Sequence, residues 1–426
     1  MRSVFLLAAA ALAAPITLAQ PALAAPPPPH RFGDPVAVSD EITLDPIIDG
    51  RLRWENVDQP ATDADAVTLR LRAGFEMKHK PSNLAFLAEA EGTVALGKRY
   101  NAFPYPVPSS QRRPQFSAVP DPENIELNRL QLQYKGKAVT LTIGRQRINL
   151  DDQRFIGAAG WRQNEQTFDA VRGEAKFGPA SLDATYAISQ RTIFGMDGEG
   201  RTAFDGDFVF LGAGAKLGPV QLKGFAYLLD YDTKEQAGAL AVAMADTQTY
   251  GLRATTSLPL AKAIKLNLAA SYARQSDWKQ NPVNYGADYI AGEAGIAWKG
   301  LAVTGGYEKL GTSNGRSFQT PMATLHKFNG WADRFLVTPA AGLQDIYGGM
   351  AYKFDGVKAL PGLNAAVTYH QYDSDIGGID YGNEWNASLS FKLARGVSLL
   401  AKYADYNAKG FGVDTRIFWL QGEFVF

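Results

Sequence analysis

The sequence predicts an all-β fold, a transmembrane antiparallel β-barrel of about 18 strands with short periplasmic turns and long extracellular loops. The period of its hydrophobic residues, the length of its segments and the sorting of its connections all point that way. Val67, Leu69, Leu71, Ala73, Phe75 and Met77 alternate with Thr68, Arg70, Arg72, Gly74, Glu76 and Lys78. Leu182, Ala184, Tyr186 and Ile188 alternate in the same way with Asp183, Thr185, Ala187 and Ser189. A strand sends two such sets to opposite faces, whereas a helix would smear both around a cylinder. Strands are expected at 45–55, 66–79, 83–95, 126–135, 138–147, 166–177, 180–190, 206–217, 219–231, 247–257, 262–275, 287–298, 300–310, 344–354, 363–373, 383–393, 396–406 and 415–426. Most run ten to fourteen residues, long for a soluble sheet and enough to cross a bilayer when tilted.

The connections alternate in length. Lys80-Pro81-Ser82, Lys135-Gly136-Lys137, Gly178-Pro179, Gly218-Pro219, Lys299-Gly300 and Ala394-Arg395-Gly396 are short. Longer ones come between them: 96–125, 148–165, 191–205, 232–246, 276–286, 311–343, 374–382 and 407–414. Tight turns on one rim and long loops on the other mark an outer-membrane barrel, and a soluble sandwich has no reason to sort its loops so. The even strand number puts both termini on the short-turn side.

The chain ends read consistently with export. Met1-Arg2-Ser3, the apolar run Val4 to Leu12 and the small residues Ala22-Leu23-Ala24 predict a secretory signal peptide over 1–24. A proline-rich linker is expected at 25–41, and the barrel at 42–426. The last segment alternates Phe418, Leu420, Gly422, Phe424 and Phe426 with Ile417, Trp419, Gln421, Glu423 and Val425. A terminal phenylalanine on an alternating final strand resembles the recognition signal of outer-membrane barrels, which implies the outer-membrane assembly machinery as a partner. Location in the outer membrane of a Gram-negative cell makes lipid and lipopolysaccharide the other expected contacts.

Composition excludes several functions. Lys+Arg and Asp+Glu are 43 each, so no nucleic-acid partner is expected. Zero cysteines remove disulfides, thiolate metal sites and cysteine nucleophiles. No enzyme, cofactor or metal site is expected. Of the 4 histidines (His30, His79, His326, His370) only His370 could join a catalytic group, and its neighbours Asp373 and Ser374 are neighbours in sequence alone. A barrel of this size keeps a water-filled lumen, and the chain leaves no length for a plug domain. Loops 96–125 and 311–343 are the candidates to narrow it, the second through Phe318, Leu325, Phe328, Trp331, Phe335 and Leu336.

Charge on the polar face supplies candidate pore-lining residues: Arg51 and Arg53, Arg70 and Arg72, Glu89 and Glu91, Arg129, Arg145 and Arg147, and Arg172 and Glu174. A charge on the lipid side would cost about 2–4 kcal/mol at mid-membrane, so these are expected to face the lumen. Alternation drifts at Arg145 and Arg147, leaving their facing open. Two readings stand: a cationic ladder for anionic solutes, whose guanidinium forks match carboxylates, or a ring of ion pairs that keeps the lumen open. In the loops, Trp161, Arg162, His326, Lys327, Trp331 and Arg334 combine aromatic and cationic groups that could hold sugar carboxylates, pack the loops or meet lipopolysaccharide.

Two stretches carry a family resemblance. Gly144-Arg145-Gln146-Arg147-Ile148-Asn149-Leu150-Asp151-Asp152-Gln153-Arg154-Phe155-Ile156-Gly157, continuing through Trp161 to Arg172, resembles a signature of the alginate-export porins, as does Leu325-His326-Lys327-Phe328-Asn329-Gly330-Trp331-Ala332-Asp333-Arg334-Phe335. The resemblance implies an eighteen-stranded outer-membrane channel with an arginine-rich lumen that passes a uronate polymer. The expected function is a passive porin for anionic sugar-like solutes, with export of a uronate polysaccharide such as alginate as its specific form. The alternative is a general diffusion porin for small nutrients.

Overall fold

The computed structural model describes residues 33–233 and 243–425. The signal peptide over 1–24, the linker up to 32, His30 and Phe426 lie outside these residues. Eighteen antiparallel strands form the wall. They are β1 (Ile42–Asp58), β2 (Asp63–His79), β3 (Leu84–Arg99), β4 (Asn124–Lys135), β5 (Val139–Gln146), β6 (Thr167–Phe177), β7 (Ala180–Arg191), β8 (Ala203–Leu217) and β9 (Val220–Tyr231). The other half comprises β10 (Thr247–Ala261), β11 (Ile264–Asp277), β12 (Gly286–Trp298), β13 (Leu301–Leu310), β14 (Leu343–Lys353), β15 (Asn364–Asp373), β16 (Asp380–Ala394), β17 (Val397–Ala408) and β18 (Thr415–Val425). Each pairs with its neighbours in sequence. The barrel closes where β1 meets β18, Asp49 opposite Val425 and Asp58 opposite Arg416. Closure joins the first and last strands along the seam from Asp49 to Asp58, removing an open sheet edge there, as lipid requires.

The alternation sorts as its chemistry demands. On β1 and β2, Leu52 and Leu71 stand outward and exposed, while Arg51, Arg53, Arg70 and Arg72 between them are buried inward. Outward Leu141, Ile143, Val171 and Leu182 extend the apolar band. Tyr134, Phe177, Trp298 and Tyr352 ring it near the short turns, and Trp54, Tyr186, Tyr250, Tyr272 and Trp385 ring it toward the long loops. Two aromatic girdles around an apolar band are what the two membrane interfaces select.

Several boundaries differ from expectation. The β1–β2 ladder runs out to Asp58 opposite Asp63, so their connection is only 59–62 on the long-loop rim. Beyond the bilayer the outward face meets water and turns polar, while Val57, Ala64 and Ala66 are buried inward, so the lipid-facing pattern ends although hydrogen bonding continues. On the short-turn rim, 354–363 is longer than its neighbours. Within the expected linker, Val36 and Ala37 double back to pair with Leu44 and Thr43 on β1.

Candidate functional site

The inward faces of β18, β1, β2, β3 and β4 place a lattice of charge side by side. Register sets Glu423, Arg51, Arg70 and Thr93 in one row, and Asp49, Arg72 and Glu91 in the next. A further row sets Glu89 opposite Arg129. Arg51 and Arg70 are directly opposite like charges, which a sheet tolerates only with carboxylates at hand. Those are present. Arg51 Nε donates to Glu423 at 2.5 Å, Arg70 pairs with Asp49 and Arg72 with Glu91. Arg129 grips Glu89 with both nitrogens, at 2.9 and 2.7 Å. Further round, Arg172 donates to Glu174 at 2.9 Å. Most of the column is therefore a network of ion pairs, the second of the two sequence readings.

Arg145 departs from the expected lining. It continues the outward series of Leu141 and Ile143, and pairs bidentately with Asp169 at 2.7 and 2.8 Å. At the outer end of β5 the cost of an outward charge falls to about 0–1 kcal/mol, so alternation prevails. Arg147, one residue past the strand, turns inward to Glu165 at 2.8 Å.

The lumen is crossed by the loop 147–166. Arg51 Nη1 donates to the carbonyls of Gly160, Trp161 and Arg162 at 2.9–3.1 Å, and Arg53 Nη2 to that of Trp161 at 2.6 Å. These arginines hold a loop backbone and do not stand free in water. Left-handed Asp151 (φ 52°), Gln153 (φ 69°) and Ala159 (φ 48°) fold the loop tightly. Its tip inserts Phe155 among Phe225 of β9, Tyr289 of β12 and Phe318, with ring centroids 5.1–5.9 Å apart. Beside it Arg154 Nε reaches Glu308 of β13 at 2.7 Å, and its Nη atoms reach Thr320 and Asn329 at 2.9 and 3.1 Å.

Thr320 and Asn329 belong to the second inward loop, 311–342. The two loops hydrogen-bond backbone to backbone, Gly157 N to Met322 O at 2.9 Å and Thr324 N to Gln153 O at 3.1 Å. Glu384 of β16 anchors the second loop by accepting from the amides of Trp331 and Ala332 at 2.5 and 2.9 Å. Gly330 makes that approach possible: at φ +83°, an added Cβ would lie 2.3 Å from Glu384 Oε2.

Where the loops meet, Trp161, Arg162, His326 and Trp331 come together. Trp161 stacks on His326 with centroids 4.5 Å apart and planes 1° apart. Arg162 spans Asp333 at 2.8 Å and Glu55 at 3.4 Å. His326 Nδ1 contacts Asp333 at 2.9 Å, and its Nε2 contacts Lys402 of β17 at 2.7 Å. Lys327 turns aside to the Asp152 carbonyl at 3.0 Å, and Arg334 lies against Gly412, apart from the cluster. Sequence reasoning missed Lys402, Arg154, Glu308 and Glu384. The same period-two rule, applied to the later strands, would have turned Lys402, Glu308 and Glu384 inward.

Burial pushes His326 from 6.5 down to about 3, Lys402 and Arg162 adding to it against the opposing Asp333. Docked, the ring is neutral. A freed loop would return it to about 6.5, so each pH unit below that favours release by up to about tenfold. Unit conductance is therefore expected to rise as pH falls from 6.5 toward 3, and this rise should be smaller in His326→Gln. Identical pH profiles in planar bilayers would show that His326 does not control docking.

Comparison with known proteins supplies the remaining observation. A family model described as Gram-negative porin matches residues 7–411. The fold is similar to crystal structures of Pseudomonas aeruginosa OpdL (17% identity, TM-score 0.66, covering 90% of this chain and 98% of that one). It is likewise similar to P. aeruginosa OpdK with vanillate (15%, 0.69, 91% and 98%), and to Acinetobacter baumannii OccAB3 (16%, 0.66, 90% and 99%). Compared with curated proteins, the sequence matches none. These matches give no support to the alginate-export resemblance. Its two motifs turn out to supply the two loops that meet inside the barrel.

Proposed function

The chain belongs to the Gram-negative porins of the outer membrane, and from that premise we propose that it is a passive, non-catalytic channel for small anionic solutes. The observation that carries the anionic part is a set of buried guanidinium N–H groups without acceptors: Nε and Nη1 of Arg70 and Nε of Arg172. They lie on the inward faces of β2 and β6. An unmatched buried donor costs about 1–3 kcal/mol, and a passing carboxylate supplies what is missing. OpdK was crystallised with vanillate, and a carboxylate on an aromatic ring of that size is the first solute class to try here. Export of a uronate polymer is the weaker reading. Arg51 and Arg53 are occupied by loop carbonyls, which leaves no continuous track for a chain of carboxylates.

The test is the reversal potential of the purified protein across a salt gradient in planar bilayers. Anion preference is expected, stronger at low salt because confined charges act over a Debye length of about 8–10 Å at ordinary ionic strength. Cation preference would leave the alternative, a general diffusion porin.

A further inference from the structure

We propose that Lys402 is the residue that sets the aperture of the channel, by latching both inward loops to the barrel wall through its ammonium group. The inference rests on the channel reading above and adds a specific residue to it. Lys402 projects from β17 at a height fixed by its register with Trp419 on β18. Its Nζ sits 3.9 Å from the ring centroid of Trp161, 3.8 Å from that of Trp331 and 5.3 Å from that of Trp419. Trp161 belongs to the loop 147–166, Trp331 and His326 to the loop 311–342, and Trp419 to the wall. One ammonium thus touches all three parts.

Its hydrogen bond goes to a neutral acceptor, His326 Nε2, and not to a carboxylate. Asp333, Glu55, Arg53 and Arg162 surround it electrostatically, with both signs represented. A buried lysine in such a place is held mainly by ring faces, and cation–π contacts strengthen when they are desolvated. Those contacts exist only while both loops are docked. Undocking either loop strips a ring face from the charge, and removing the charge leaves two tryptophans and an imidazole with nothing to converge on. The tautomer is consistent throughout: His326 accepts from Lys402 at Nε2 and donates from Nδ1 to Asp333. Arg162, from the other loop, holds the far oxygen of that same Asp333. The latch therefore joins three elements through one chain of contacts.

The sequence makes a clean chemical test possible, because it contains no cysteine. Lys402→Cys is unfolded in urea, alkylated with 2-bromoethylamine or with iodoacetamide, and refolded into detergent. The first reagent restores an ammonium at lysine length, and the second leaves an uncharged amide. Circular dichroism and heat-modifiable gel migration select the folded barrels. The unmodified variant and its iodoacetamide adduct should show at least about twofold higher unit conductance than wild type, and should pass a neutral trisaccharide more readily in liposome swelling. The bromoethylamine adduct should return to wild-type values. Trp331→Leu, which removes one ring from the loop side, should reproduce the open phenotype, and it decides the matter if position 402 tolerates no change. The proposal is overturned if Lys402→Cys or Trp331→Leu conducts like wild type, or if the two adducts conduct alike. Failure of the wild-type protein to conduct at all would instead remove the channel reading, a distinguishable result.

Discussion

Arg154→Met is expected to raise unit conductance severalfold while leaving the barrel intact. Arg154 is a residue of the loop 147–166, yet its guanidinium is shared between the wall at Glu308 and the other loop at Thr320 and Asn329. Removing one partner of a buried pair costs about 3–5 kcal/mol. The lower end applies here, because Glu308 keeps donors in Tyr289 Oη and Asn329 Nδ2, both at 2.7 Å. At about 1.4 kcal/mol per factor of ten, even 3 kcal/mol shifts docking by about a hundredfold. The cost falls on docking because the eighteen wall strands keep their ladders. Heat-modifiable migration should be unchanged, whereas protease sensitivity within 147–166 and 311–342 should increase. Arg154→Lys should be intermediate, since one ammonium lacks the planar fork that reaches three acceptors. Wild-type conductance in a folded Arg154→Met would show that the loops stay docked without it. This substitution is sharper than excising 318–338, which would also take away His326, Asn329 and Trp331 and so unpair several wall residues together.

The contrast between wall and loops explains what was legible beforehand. The barrel follows from side-chain alternation, which is local: each residue's face is set by its immediate neighbours and by the penalty for charge in lipid. Leu71 outward and Arg70 inward needed no knowledge of the rest of the chain. The rule lost force wherever that penalty vanished. Beyond Glu55 the outward face of β1 carries Asn56 and Asp58 and no longer meets lipid, so the apolar-outward pattern ends before the strand does. At Arg145, near the outer interface, a charge can remain outward if Asp169 is beside it. The loops obey no periodic rule. Arg154 finds Glu308 across the lumen, 154 residues along the chain, and nothing near either residue announces the other. Apolar residues such as Phe328 and Trp331 signalled that the loop 311–343 would bury itself, though not that it would do so against the loop 147–166.

Arg70→Gln is expected to weaken block of the channel by benzoate by about tenfold to a hundredfold. Arg70 is the arginine whose bonding is least complete, with Nη2 on Asp49 and with Nε and Nη1 lacking acceptors. It also stands opposite Arg51, so its positive field is reinforced rather than cancelled on that side. A hydrogen bond to a charged group is worth about 1.5–3 kcal/mol, which at about 1.4 kcal/mol per decade gives the stated range. Folding should survive. The substitution relieves a like-charge contact, and the Asp49 side chain, 24% exposed, can be hydrated in place of its partner. Arg72→Glu would be a poor companion, since it would set a third carboxylate against Glu91 and Glu165. Benzyl alcohol, which keeps the ring and lacks the charge, should block weakly in both proteins. Equal block by benzoate in wild type and Arg70→Gln, or equal block by acid and alcohol, would mean that the unmatched guanidinium edges do not meet the solute, and the anionic reading would lose the observation on which it stands.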